Sequence, residues 1–271
     1  KDVPGATEPG FTAGFTSWPP PNLQPWTLYF DGDGKLATQK PSSTGADSYT
    51  YDAEAGPIGY AAADAYDFQA PTVKANWTNA PDGKGLSYVT EPLTQDTVIA
   101  GPGYADLWFK ADQDDADIEV VLSEITPDGK EFRIQNGLLR AGDRKVDESR
   151  SNEFLIQETF AKSDYQKLPH GELTEIKVPI FPVADPLRKG SRLRVQINTP
   201  GRDLPLWFFE TSSYGNDSAK YVVARGGDKA SSVVLPILPA GTVEVPAERP
   251  PCPSLRGQVC RPYQPSTNRP G

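Results

Sequence analysis

The sequence predicts an all-β protein, a jelly-roll β-sandwich with long loops and extended arms at both ends. Three observations lead there. The chain's 28 prolines and 24 glycines interrupt it too often for long helices to propagate. Turn signals recur at a spacing of roughly eight to twelve residues, as in sandwiches and jelly rolls. Between the turns run short apolar or alternating segments, clearest in Arg192, Leu193, Arg194, Val195, Gln196 and Ile197. Leu193, Val195 and Ile197 then share one face, which buries, while the other face is expected to meet water.

Taken in order, residues 1–25 carry Pro4, Pro9, Pro19, Pro20, Pro21 and Pro25 and read as an extended arm without a ladder, anchored by Phe11, Phe15 and Trp18. Strands are expected at 27–30, 86–90, 96–100, 104–111, 118–126, 131–139, 172–179, 192–198, 206–210, 220–224 and 232–238. A loop-like stretch at 56–84 separates the first two and holds a short helical turn at 61–65. Ala100, Gly101, Pro102 and Gly103 read as a turn, as do Pro127, Asp128 and Gly129. After Pro239 the chain becomes rich in Pro, Arg and polar residues, with little apolar surface to offset ordering entropy. The expected organisation is an arm (1–25), a sandwich (26–240) and a tail (241–271).

Several segments repeat a familiar order: Trp26 to Leu36 (WTLYFDGDGKL), Tyr49 to Asp52 (YTYD), Thr90-Glu91-Pro92-Leu93 leading to the Gly101 turn, and two strands around an Asp-rich corner. Asn136 to Arg140, Val178-Pro179-Ile180, the strand at 190–197 and residues 232–238 continue it. Over roughly residues 26 to 240 this order resembles the C-terminal jelly-roll domain of the X-Pro dipeptidyl-peptidase and cocaine-esterase type of serine hydrolase. The resemblance implies a galactose-binding-domain-like sandwich without chemistry of its own, whose partner is the α/β-hydrolase domain of the same gene product. The parent would cleave an acyl ester, or a peptide bond after an N-terminal X-Pro dipeptide, through a Ser-His-Asp triad. That catalytic domain is absent from this chain. Its companion is expected to shape access to the active site or to support a homo-oligomer.

The residues themselves agree that no catalytic centre is present. No G-x-S-x-G elbow occurs; the nearest approach, Gly85-Leu86-Ser87-Tyr88-Val89, lacks the second glycine and reads as strand. His170, the one histidine, stands in a turn context, Leu168 to Glu172, and reads as structural or exposed. Asp31-Gly-Asp-Gly34 and the set Asp112, Asp114, Asp115 and Asp117 gather hard oxygen ligands and are weighed as calcium corners against solvated turns, which select the same residues. No cofactor is implied. Trp207, Phe208, Phe209 and Tyr214 are read as aromatics that contact the catalytic domain, with a sugar-stacking platform as the alternative.

A net charge of −9 repels phosphate backbones, so nucleic acid is not an expected partner. No apolar run is long enough to cross a bilayer. The absence of methionine predicts a processed or excised piece, with a partner expected upstream of Lys1. Cys252 and Cys260 would staple the Pro-rich loop between them, against two reduced thiols as the alternative, and a disulfide favours a secreted or extracytoplasmic location. Asn76-Trp77-Thr78 and Asn216-Asp217-Ser218 match the glycosylation pattern and read as surface loops. A carbohydrate-binding module and a stand-alone exported interaction protein are the competing readings.

Overall fold

A computed structural model describes residues 11–52, 58–60, 75–200, 219–247, 249 and 259–271. Among them are fifteen strands, a few single 3₁₀ turns and no α-helix, so the all-β reading holds. In chain order they are β1 (Gln24–Asp31), β2 (Lys35–Ala37), β3 (Gly45–Thr50), β4 (Ile58–Tyr60), β5 (Ala75–Trp77), β6 (Gly85–Thr90), β7 (Thr97–Ala111) and β8 (Asp117–Ile125). They continue as β9 (Lys130–Arg140), β10 (Thr174–Leu187), β11 (Arg192–Asn198), β12 (Lys220–Arg225), β13 (Ser232–Ile237), β14 (Cys260–Pro262) and β15 (Arg269–Pro270). β4 and β5 form a separate hairpin. The other thirteen make one hydrogen-bonded order, β14-β9-β8-β11-β6-β2-β1-β13-β7-β12-β3-β15, with β10 on the remaining side of β7.

This order folds into two layers. The short β2 joins them, pairing antiparallel with β1 and parallel with β6. β1, β13, β7, β12, β3 and β10 make one layer; β9, β8, β11 and β6 make the other. Their inward side chains meet in a shared core: Phe30 of β1 stacks on Tyr88 of β6 at 4.2 Å, and Phe109, Tyr221 and Leu107 pack with Ile118, Val120, Leu122, Val195 and Ile197. The layers touch backbone to backbone where β9 passes β10, since a Cβ on Gly137 would lie 1.9 Å from the Pro179 carbonyl oxygen.

The structure corrects four expectations. The turn at 100–103 is the middle of the 15-residue strand β7. Gly101, at φ +137°, takes up the irregularity, and two of the three partners of β7 shift register beside it, β10 between Ile180 and Val183 and β13 between Val234 and Ile237. A shared bulge lets the strand run on through its glycines and proline. Trp18 does not anchor the arm: it is 68% exposed, and Pro20 is buried instead. Beyond the exposed Arg192, the polar face of β11 does not meet water, because Arg194, Gln196 and Asn198 are as buried as Leu193, Val195 and Ile197. The tail helps to cover it and contributes β14 and β15 to the sheet. The strand expected at 206–210 lies outside the described residues.

Candidate functional site

Two surfaces of the sandwich carry polar chemistry, and they are built differently. The first is the outer face of β9-β8-β11-β6. Glu131 of β9 and Arg194 of β11 are wholly buried there, 3.1 Å apart. Arg194 also donates to Ser87 Oγ (2.8 Å), Ser266 Oγ (2.6 Å) and Asn79 Oδ1, while Arg261 and Ser123 donate to Glu131. The Arg194 guanidinium sits over the Tyr263 ring and that of Arg261 over Trp77. Arg249 reaches Glu124 and lies on Phe132. Glu131 and Arg194, paired in this way, tie β9 to β11, while Arg261 Nη1 and Nη2 and Arg249 Nε remain without a hydrogen-bond partner.

The second surface is an open groove of about 750 Å³. Its walls are the end of β9 (Leu138, Leu139, Arg140), the bulge of β10 (Pro179 to Pro182), Pro102 and Gly103 of β7, and the loop that carries Leu155 to Glu158 and Phe160. The β10 bulge turns Phe181 outward to 52% exposure, and Phe160, at φ +46°, is 65% exposed. The loop is held in shape by local polar bonds. Asp147 Oδ1 accepts from the Ser149 amide and hydroxyl, Asn152 Oδ1 accepts from the Phe154 and Leu155 amides, and Val146 bridges to Glu158.

One buried acid lines this groove without full pairing, and a half-buried one stands on β7. The Glu158 side chain lies in its lining with Oε1 unpartnered, and burial pushes its carboxyl up to about 7, with Asp143 adding to the rise. On β7, three residues beyond Gly103 of the groove wall, Asp106 has an unpartnered Oδ1. Burial first and the neighbouring Glu175 second push it up to about 6. Burial and the carboxylates of Asp106, Glu153 and Glu175 raise Tyr104 between them.

The sequence-predicted residues are placed as follows. Ser87 sits in β6 under Arg194, and His170 sits in an exposed turn with Nε2 2.8 Å from Asp114 Oδ1, so the two are engaged with different partners. The four aspartates at the corner do not converge. Asp114 is taken by Lys167 and His170, whose hydrogen bonds hold its carboxyl below the usual range. Asp115 Oδ1 accepts from the Ala116 and Gly142 amides and its Oδ2 from the Tyr165 hydroxyl; Asp117 pairs with Arg140, and Asp112 is exposed. Among the described residues no group of three or more His, Cys, Asp or Glu could hold a metal ion. At the other acidic corner, Asp31 Oδ1 accepts from the Gly32 amide in a tight turn. Trp207, Phe208, Phe209, Tyr214 and Cys252 lie outside the described residues, and among those described no cysteine is free. The groove was missed by the sequence reading; the proline-flanked Phe181 in a strand pattern, PIFPV, was the signal that could have pointed to it.

Comparison with known proteins adds the following. A family model described as the X-Pro dipeptidyl-peptidase C-terminal non-catalytic domain matches residues 5–234. The chain is 26% identical over 193 residues to a "putative serine esterase" of Mycobacterium bovis, covering 67% of this chain and 29% of that protein. It is 23% identical over 242 residues to cocaine esterase of Rhodococcus sp., covering 82% and 39%. Among solved structures, a CocE/NonD family hydrolase from Staphylococcus aureus superposes with a TM-score of 0.63 at 19% identity, covering 83% of this chain and 39% of that one. The chain thus spans well under half the length of the relatives it matches.

Proposed function

The chain belongs to the X-Pro dipeptidyl-peptidase C-terminal non-catalytic domain family, and from that premise we propose that it docks, through its open groove, on the catalytic α/β-hydrolase domain of the same gene product. One observation carries the reading: the match fills most of this chain yet under half of each relative, so the remainder of those proteins is what this domain accompanies. The groove is the surface that fits. It offers exposed Phe160 and Phe181 beside buried Glu158, whose Oε1 has no partner, whereas the face around Glu131 and Arg194 pairs those two charges internally and is crossed by the tail. Apolar anchors ringed by polar groups mark docking surfaces. The partner surface should carry donors, such as lysine, arginine or amide groups, facing Glu158 and Asp106.

In this reading the parent hydrolyses acyl esters or X-Pro dipeptidyl bonds, with nucleophile, base and acid on the partner domain. This domain positions that partner and limits access to its active site. Export to an oxidising compartment, a Cys252–Cys260 bridge and assembly of the parent into oligomers belong to the same proposal.

The test is reconstitution. The α/β-hydrolase segment encoded upstream of Lys1 is produced separately and titrated with this chain by calorimetry. Association is expected, and the pair Phe160→Ser and Phe181→Ser should weaken it at least about tenfold while leaving this domain's own stability within about 0.5 kcal/mol. An upstream segment without a nucleophile elbow, or association untouched by both substitutions, sinks the proposal. Release of chromophore from short acyl esters or Gly-Pro anilides by this chain alone would do so too.

A further inference from the structure

The last thirteen residues reach both ends of the sheet. β14 pairs with β9 at one end of the strand order and β15 pairs with β3 at the other. Between them the tail crosses the polar face, where the Tyr263 amide donates to the Gly129 carbonyl and Ser266 accepts from Arg194. Asn268 behaves as a surrogate peptide unit: its Oδ1 accepts from the Ser87 amide at 2.8 Å and its Nδ2 donates to the Ser87 carbonyl at 3.1 Å. Those groups belong to β6 just where the short β2, paired only with Val89 and Thr90, has stopped. At the end of the chain the Gly271 amide donates to the Ala46 carbonyl and Pro270 accepts from the Ser48 hydroxyl. One short segment therefore clasps both edge strands.

An uncovered edge presents a row of N–H and C=O groups to any chain that can add a strand. β9 is eleven residues long and carries Phe132 and Ile134, a template able to pair with a copy of itself. The clasp lies outside residues 5–234, so it is not part of what the family match describes. Beyond Tyr263 it contains no hydrophobic residue. It is held by directed polar bonds, and it prevails over strands from other molecules because tethering gives it a local concentration of roughly millimolar order.

We propose that residues 259–271 are an intramolecular strand donor that takes up Lys130 to Phe132 of the β9 edge and Asp47 and Ser48 of the β3 edge, and thereby keeps the domain from pairing edge to edge with a second copy of itself. The proposal is independent of what docks in the groove.

Two variants of the 271-residue chain test it. A chain ending at Tyr263 keeps β14 and the Arg261–Glu131 contact but frees the β3 edge. Analytical ultracentrifugation should show the full chain monomeric and the shortened one self-associating, with excess synthetic peptide of residues 259–271 reversing the association. In the 271-residue chain, Asn268→Asp places a carboxylate against the Ser87 carbonyl and Asp47. It should speed hydrogen exchange at Ser48, opposite Arg269, by about tenfold without changing exchange in β11. A shortened chain that folds and stays monomeric overturns the proposal. Should it fail to fold, unchanged exchange at Ser48 in the Asn268→Asp chain overturns it instead.

Discussion

The two outer surfaces of this sandwich bury charge in opposite ways. Across β9, β8, β11 and β6, Glu131 and Arg194 are as deep as any core residue, and each is surrounded by partners of opposite charge or by hydroxyl and amide groups. At the groove, Glu158 is buried with an oxygen left over, and Phe160 and Phe181 stand in solvent. A charge network whose carboxylate is fully engaged, as at Glu131, leaves that carboxylate nothing for a partner, even though Arg261 Nη1 and Nη2 beside it stay unpartnered. An incomplete one keeps binding capacity, and the domain gives up some stability for it.

The comparison is broken most directly at the sealed face. Glu131→Ala leaves Arg194 and Arg261 buried without their carboxylate and should cost about 3–5 kcal/mol in a denaturant melt. A loss under about 1 kcal/mol would mean that the network is no tighter than a surface ion pair. Between the two surfaces stands Gly137, where the layers touch. Gly137→Ala drives a methyl group into the Pro179 carbonyl and should cost about 1–3 kcal/mol by forcing β9 and β10 apart. Because β10 walls the groove, the same change should also weaken docking of the hydrolase segment, which links the two surfaces in one measurement.

The groove responds to pH with the opposite sign from an ordinary paired carboxylate. The Glu158 carboxyl is raised to about 7 from an ordinary value of 4.5, so the folded chain holds the proton more tightly than the unfolded one. Its contribution is fully present below pH 4.5 and is lost as pH rises through about 7. Glu158→Gln removes that ionisation and should stabilise the isolated domain at pH 8 by about 1–2 kcal/mol, the figure being reduced for solvent near the open groove. Melting temperatures at pH 5 and pH 8 should draw together in the variant. If they stay as far apart as in the parent chain, Glu158 is not the strained group at this site.

Strand 192–198 shows how far local pattern carries. Its limits and its apolar face were legible because Leu193, Val195 and Ile197 alternate with period two. The fate of its other face was not, since the residues that cover Arg194 lie 63 and 72 positions further along or back, at Glu131 and Ser266. The Asp-rich corner taught a similar lesson. Its aspartates were visible as a cluster, but their orientation toward Lys167, Gly142 and Arg140 depended on chain that returns from elsewhere.

By itself the sequence determined the fold class, the inward faces of the strands and the lack of a nucleophile elbow, because each follows from turn chemistry and short periodicities. Tertiary structure alone decided that β7 runs unbroken, that the tail closes both sheet edges and that a groove opens beside Phe181. Those outcomes rest on pairings such as Ser87 with Asn268, 181 residues apart, which no local pattern encodes. Only the assembled sandwich brings such edges within hydrogen-bond reach.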